Sequence, residues 1–564
     1  MGFLRGTTKD ALNAKIATLD LPSLPVLKRH AATFLFDEGE DAKAFDEMLR
    51  PVMEATTLEE AWLETGRMMA RGGTLGFIPQ PVSIEGKVYY NMSIDFSLLP
   101  LWLGYDHLEP RLDPRYAPDR LAHLVPIMSN GSRRSIESSG EWPMLVAWFQ
   151  GMGIDPALGL TEMEYGAVMD SVASVGILTA EFRQLQEKDL EAYKQSINQD
   201  CREALQRFFS AENVDLADYV YMKLARYESS HAIVEKYVTD AMRERMLAIC
   251  KRLRETFANR INRNQWLNEG SKAAALDKLY NMTFCVGGPK EWNPEGFADL
   301  SASKSLVEDM QLLLQARMNL VKQMAGKSVS ENAFTLLTNN YASLIDFNSS
   351  YMPAFNAMFI YPAFMMEPLT PDDANEAIVY AAAVVIGHEI THGFDANGYK
   401  YNRYGGYGPI FASKDDYTKF TDLSKQLVDW YSSLEVLPDE LPGLCNKGDW
   451  TLAENIADLG GFEIAYEAYT DKLMEDGFSG DELRLQQQRF YRAYAHLWKA
   501  KYTADYAKTR TIGTNEYGLG SDTHSLEKER VNGVVPNTDA WYDLFDIRPE
   551  DKLYRSSEER VHIW

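Results

Sequence analysis

Five consecutive residues, His388-Glu389-Ile390-Thr391-His392, carry the sharpest chemical signal in the chain. A helix turns by about 100° per residue, so positions four apart lie only about 40° apart around its axis and one turn apart along it. Both imidazoles then face one point, which suits two ligands of a zinc ion. Glu389 lies about 100° round from His388, near enough to hold a water yet offset from the ligand positions, as a general base must be. The competing reading is an amphipathic helix with two histidines satisfied in its core.

A hydrolytic zinc site commonly takes three protein ligands and leaves a position for water. The best third candidate lies in Thr451–Asp458 (TLAENIAD), where Glu454 and Asp458 share a helical face and Thr451 with Glu454 fits a capping box. An ExxxD pair is usually a solvated face. Here Leu452, Ile456, Leu459 and Phe462 predict a largely buried helix, and buried carboxylates need partners such as a metal and its histidines. Asp395, three residues past His392, returns to nearly the same face. A carboxylate there or at Asp458 can accept the second ring N–H of a ligating histidine, and spacing leaves open which aspartate serves which.

Apolar residues recur at three- and four-residue intervals in 57–71, 200–209 and 234–257, predicting helices, the first opened by a capping box of Thr57 and Glu60. Strand-like runs are few, the clearest being Lys87–Ile94 and Ala357–Tyr361. A mainly α protein with a small sheet is expected. The chain is charged and helical up to about residue 340, then turns aromatic and rich in Asn and Pro. A division into residues 1–310 and 311–564 is expected, the second part bearing the zinc motif.

The 564 residues are 45% hydrophobic and 12% aromatic, which excludes disorder as the dominant state. With 57 basic and 82 acidic residues the net charge of −25 disfavours nucleic-acid and membrane-surface binding. Ala377–Gly387 is too short, and Phe347–Met366 too interrupted by Asn and Pro, to anchor in a bilayer. Cys201, Cys250, Cys285 and Cys445 show no CxxC spacing, and the first residues show no secretory signal. A cytoplasmic location is expected, export after removal of a signal being the alternative.

Three motifs in order, HEITHGFD (His388–Asp395), ENIADLGG (Glu454–Gly461) and LYRSSEERVHIW (Leu553–Trp564), resemble the neprilysin family of zinc metallopeptidases. WLNEGSKAAALDKLYNM (Trp266–Met282) extends the resemblance over roughly the last 300 residues. It implies a two-lobed zincin, with a thermolysin-like catalytic lobe, a small sheet, and a helical lid lobe (1–310) enclosing a cavity. By resemblance His388, His392 and Glu454 hold one Zn2+ per chain, Glu389 is the general base, and Asp395 and Asp458 support the histidines. His524 would stabilise the oxyanion, and Arg530, six residues on, would bind a substrate carbonyl. Asn348, opening Asn-Ser-Ser-Tyr where the family has Asn-Ala-aromatic-Tyr, would bind substrate backbone. Met365, Val385 and Trp498 would line an apolar pocket for a bulky residue after the scissile bond. The activity implied is that of an endopeptidase on peptides, with an aminopeptidase of the same chemistry as a rival. The family's N-terminal aromatic, Asn-Gly and Trp segment has no match here. Hence the alternatives of a partner chain supplying it, or of a catalytically impaired peptide-binding protein.

Overall fold

A computed structural model describes residues 36–68, 76–84, 87–95, 189–208, 226–322, 348–366, 376–512 and 523–564, with isolated positions at 147, 150 and 344. In order these form α1 (Glu40–Glu54), α2 (Leu58–Met68), β1 (Gly76–Ile84), β2 (Lys87–Asp95), α3 (Leu190–Phe208), α4 (Arg226–Tyr237), α5 (Asp240–Arg263) and α6 (Glu269–Tyr280). Then follow β3 (Thr283–Val286), α7 (Leu306–Lys322), β4 (Ser349–Met352), β5 (Ala357–Ile360), α8 (Pro362–Met366), α9 (Glu376–Thr391) and α10 (Lys414–Ser432). The chain ends with α11 (Leu452–Glu475), α12 (Gly480–Leu497), α13 (Ala504–Ile512), α14 (Glu527–Asn532) and α15 (Asp539–Phe545). The protein is mainly helical with little sheet, as expected.

The helix foreseen over 57–71 is α2, and Thr57 Oγ1 accepts the Glu60 N–H at 3.2 Å. Glu60 reaches back one residue further than a standard box, accepting the N–H of Thr56 at 2.7 Å. The single helix expected over 234–257 is two, because Thr239 turns extended and caps α5 by accepting the Met242 N–H. Its apolar period runs through the break, so spacing alone does not reveal it. The strand expected at Lys87–Ile94 is β2, paired antiparallel with β1. Pro79 and Pro81 mask β1 in the sequence by arguing against a strand.

The second sheet has the order β3-β5-β4, with β3 parallel and β4 antiparallel to β5. β5 (AMFI) is buried at every position, as a central strand must be. One large core packs α5, α6 and β3 with α9, α11 and α12. The core around the zinc motif therefore draws residues from both sides of the expected division at 310. α9 satisfies the length and apolarity of a membrane span when extended to Phe394, but 89% of that window is buried inside the protein. It is the central helix of the core.

α9 and α11 cross backbone to backbone. A Cβ on Gly387 would lie 2.7 Å from the Gly461 carbonyl oxygen, and one on Gly461 would lie 2.3 Å from the His388 nitrogen. Only glycine at both positions permits this approach.

Candidate metal centre

α9 ends at Thr391 and continues as a 3₁₀ turn, His392–Phe394, so His388 and His392 stay one turn apart. Their Nε2 atoms lie 2.9 Å from each other. Glu454, in the first turn of α11, brings Oε2 to 3.2 Å from His388 Nε2 and 3.3 Å from His392 Nε2. Four donors bound tetrahedrally at about 2.0–2.1 Å would stand about 3.3 Å apart, so these three atoms have nearly the spacing zinc demands. Glu454 Oε2 is buried without a hydrogen-bond partner, an acceptor left for a cation.

Which aspartate serves which histidine, open in the sequence, is decided by the fold. His388 Nδ1 lies 2.8 Å from Asp458 Oδ1, and His392 Nδ1 lies 2.5 Å from Asp395 Oδ2. With Nδ1–H donated to a carboxylate, each ring presents the lone pair of Nε2 to the shared point. Asp395 Oδ1 in turn accepts the N–H groups of Asn397 (2.7 Å) and Gly398 (2.6 Å).

The capping box expected at Thr451 is absent. The Thr451 side chain makes no cap; its hydroxyl donates to the Lys447 carbonyl, and Glu454 is turned to the histidines instead. The carboxylate that could close a box is drawn off by the imidazoles.

Charge follows geometry. Burial opposes ionisation of Glu454, but the imidazoles of His392, His388 and His524 outweigh it and hold the carboxyl far below the usual range. Burial also opposes charge on His392, yet Glu454 and Asp395 raise it well above an ordinary histidine. The acidic ligand set thus draws positive charge to the point where the three donors meet. Glu389 is buried, its carboxylate within 4.8 Å of the His388 and His392 donor atoms. Desolvation raises its pKa against the pull of both histidines.

His524 joins the cluster from a distant loop, with Nε2 3.0 Å from Glu454 Oε2 and its ring stacked on His388 at 6.4 Å. Its side chain is 39% exposed, against 5% for His388. A hydrogen-bonded chain that spacing does not reveal places it. Ser525 donates to Asn455 Oδ1 (2.8 Å), while Asn446 donates to Ser525 and Asn455 to Thr451. All four are buried, so the neighbours of His524 and Glu454 are tied directly together. Small polar residues beside the motif residues were the only signal.

Arg530 is paired with Asp458. Its Nε donates to Asp458 Oδ2 at 2.7 Å, its Nη2 donates to Asp458 Oδ1, and its guanidinium stacks 3.9 Å over the Trp498 ring. Nη1 has no hydrogen-bond partner among the described residues. Arg530 and His388 hold the Asp458 carboxyl down at about 2 despite its burial. Asn348 is exposed at the start of β4, the edge strand packed on α9. Trp498 is buried, Val385 is half-buried on α9, and Met365 is fully buried with its sulfur against Gly287. Met365 therefore presents no surface to a substrate in this conformation.

Two family models match, both described as peptidase family M13, over residues 348–561 and 168–289. A neutral endopeptidase of Lactococcus lactis subsp. cremoris is 26% identical over 335 residues, 58% of this chain and 48% of its own length. Neprilysin-1 of Caenorhabditis elegans is 29% identical over 57% of this chain and 42% of its own. The chain thus matches about half or less of these relatives' length. The open state of the Mycobacterium tuberculosis zinc metalloprotease Zmp1 superposes with a TM-score of 0.68 at 21% identity, covering 99% of this chain and 94% of that one. PepO of Lactobacillus rhamnosis gives a TM-score of 0.54 at 18% identity, over 100% of this chain and 94% of that one.

Proposed function

Because the chain belongs to peptidase family M13, the neprilysin family, we propose that it is a zinc-dependent endopeptidase that hydrolyses peptides. The observation that carries this reading is the meeting of His388 Nε2, His392 Nε2 and Glu454 Oε2 at mutual distances of 2.9 to 3.3 Å, with a carboxylate behind each imidazole. These three residues would hold one zinc ion per chain, whose Lewis acidity polarises a scissile carbonyl and makes water acidic enough to deprotonate near neutral pH.

The protein's own groups do the rest. Glu389, made more basic by burial, takes a proton from the attacking water and delivers it to the leaving nitrogen. His524, the exposed imidazole of the cluster, donates to the oxyanion as the carbonyl becomes tetrahedral. Asp458 and Asp395 keep His388 and His392 in the tautomer that offers Nε2. Arg530 positions Asp458 with the Nε–Nη2 edge of its guanidinium, leaving Nη1 for a substrate carbonyl. Asn348, at the open end of edge strand β4, can bind an extended peptide backbone. A preference for a bulky apolar residue after the scissile bond would rest on Val385, half-buried on α9, and on Trp498 beneath the Arg530 guanidinium.

Glu389→Gln is the test. It is expected to keep stoichiometric zinc while losing peptide hydrolysis by about 10²- to 10⁴-fold. Undiminished turnover in the zinc-loaded variant would overturn the reading. Digestion of N-terminally blocked peptides with and without chelator separates an endopeptidase from an aminopeptidase and from a protein that only binds peptides.

A further inference from the structure

Lys278, on α6, is 1% exposed, and a lysine is almost never buried so completely unless it is paired. Its Nζ donates to the carbonyl of Gly398 at 2.6 Å and lies 5.5 Å over the ring of Phe394 and 5.9 Å over that of Tyr351. Gly398 belongs to the turn that follows the second histidine. Its N–H is given to Asp395 Oδ1 at 2.6 Å, and Asp395 Oδ2 holds His392 Nδ1. The turn presses on His392 itself, since a Cβ at Gly398 would fall 1.8 Å from the His392 carbonyl oxygen. Lys278 is fixed at its other end too. Its own carbonyl accepts Asn356 Nδ2 at 3.0 Å, and Asn356 Oδ1 accepts the Tyr351 hydroxyl at 2.9 Å.

We propose that Lys278 is a positioning residue for the zinc ligand His392, acting through the Gly398 peptide and the Asp395 carboxylate. The inference rests on the reading of His388, His392 and Glu454 as zinc ligands. A turn held only by its own backbone could tilt and carry Asp395 with it. The Lys278 Nζ–H ties that turn to α6, whose own Lys278 carbonyl is tied through Asn356 to the sheet. Removing it would loosen the aim of His392 Nε2 without removing a ligand.

The experiment measures zinc affinity by chelator competition, and the visible spectrum of the cobalt(II)-substituted protein, which reports ligand geometry. The variants are Lys278→Met, Asp395→Ala and their combination. Lys278→Met is expected to weaken zinc about tenfold, the lower end of what loss of a supporting partner costs, and to alter the cobalt bands. In the Asp395→Ala background the same change should add less than about twofold, because its route to the metal is already cut. A Lys278→Met protein with wild-type affinity and spectrum overturns the proposal, as does an undiminished tenfold loss beside Asp395→Ala. If Lys278→Met does not fold, Lys278→Gln, whose shorter amide does not span to Gly398, is read in the same way. A wild-type protein that binds no zinc would instead refute the ligand assignment itself.

Discussion

Gly461→Ala should separate local helix preference from the demands of the metal site. In an isolated helix Ala is favoured over Gly by about 1 kcal/mol, so propensity alone predicts a more stable protein. The crossing of α9 and α11 predicts the reverse. The new Cβ would stand 2.3 Å from the His388 nitrogen, 2.7 Å from the Val384 oxygen and 2.8 Å from the Gly387 carbonyl carbon, all of them backbone atoms that no rotamer can move. Ordinary contact needs about 3.5 Å, so the two helices must part by about 1 Å. Overpacking of this kind costs about 1–3 kcal/mol, which exceeds the propensity gain. The same parting moves His388 away from Glu454, now 3.2 Å distant, while zinc tolerates departures of only about 0.2 Å in its bonds. Zinc affinity should fall by about 10- to 100-fold, with a lowered Tm, measured by dye competition and by thermal unfolding of the metal-free protein. A Gly461→Ala protein with raised Tm and unchanged zinc affinity would show that the α9–α11 crossing does not need glycine at this position.

Asp458→Asn removes the negative charge, and one of the two acceptor oxygens, that His388 Nδ1 and the Arg530 fork share. Zinc affinity should fall about 10- to 100-fold, and stability by about 3 kcal/mol because a buried guanidinium loses its counter-ion; titration and urea unfolding check both. Glu529, which precedes Arg530 in α14, gives a pH dependence of stability. It is 1% exposed, its Oε2 has no hydrogen-bond partner, and burial raises its pKa from 4.5 to about 7. The folded state therefore keeps a proton that the unfolded chain gives up between about pH 4.5 and 7, so this group's contribution is lost as pH rises through that window. Glu529→Gln should stabilise by up to about 3 kcal/mol at pH 8 and hardly at all at pH 4.5; equal effects at both pH values would contradict it.

The local periodicities translated into helices and strands well where one segment supplied its own evidence. The apolar run before His388 became the buried helix α9, and AMFI became the central strand β5. They failed where a competing local rule or a distant partner intervened. Two prolines hid β1, Thr239 cut a continuous apolar period, and the imidazoles took the Glu454 carboxylate from a cap it could have made.

The same division holds at the site. That His388 and His392 face one point follows from helix geometry within five residues, and Glu454 could be proposed because an apolar helix must give a buried carboxylate a partner. The pairing of Asp458 with His388 and of Asp395 with His392 was beyond the spacing, as was the role of Lys278, 114 residues from the histidine it faces through two intermediates. These contacts depend on how closely α9, α11 and α6 approach one another. That approach is set by glycines that leave room and by core side chains contributed from distant parts of the chain, a property of the packed fold and of no single segment.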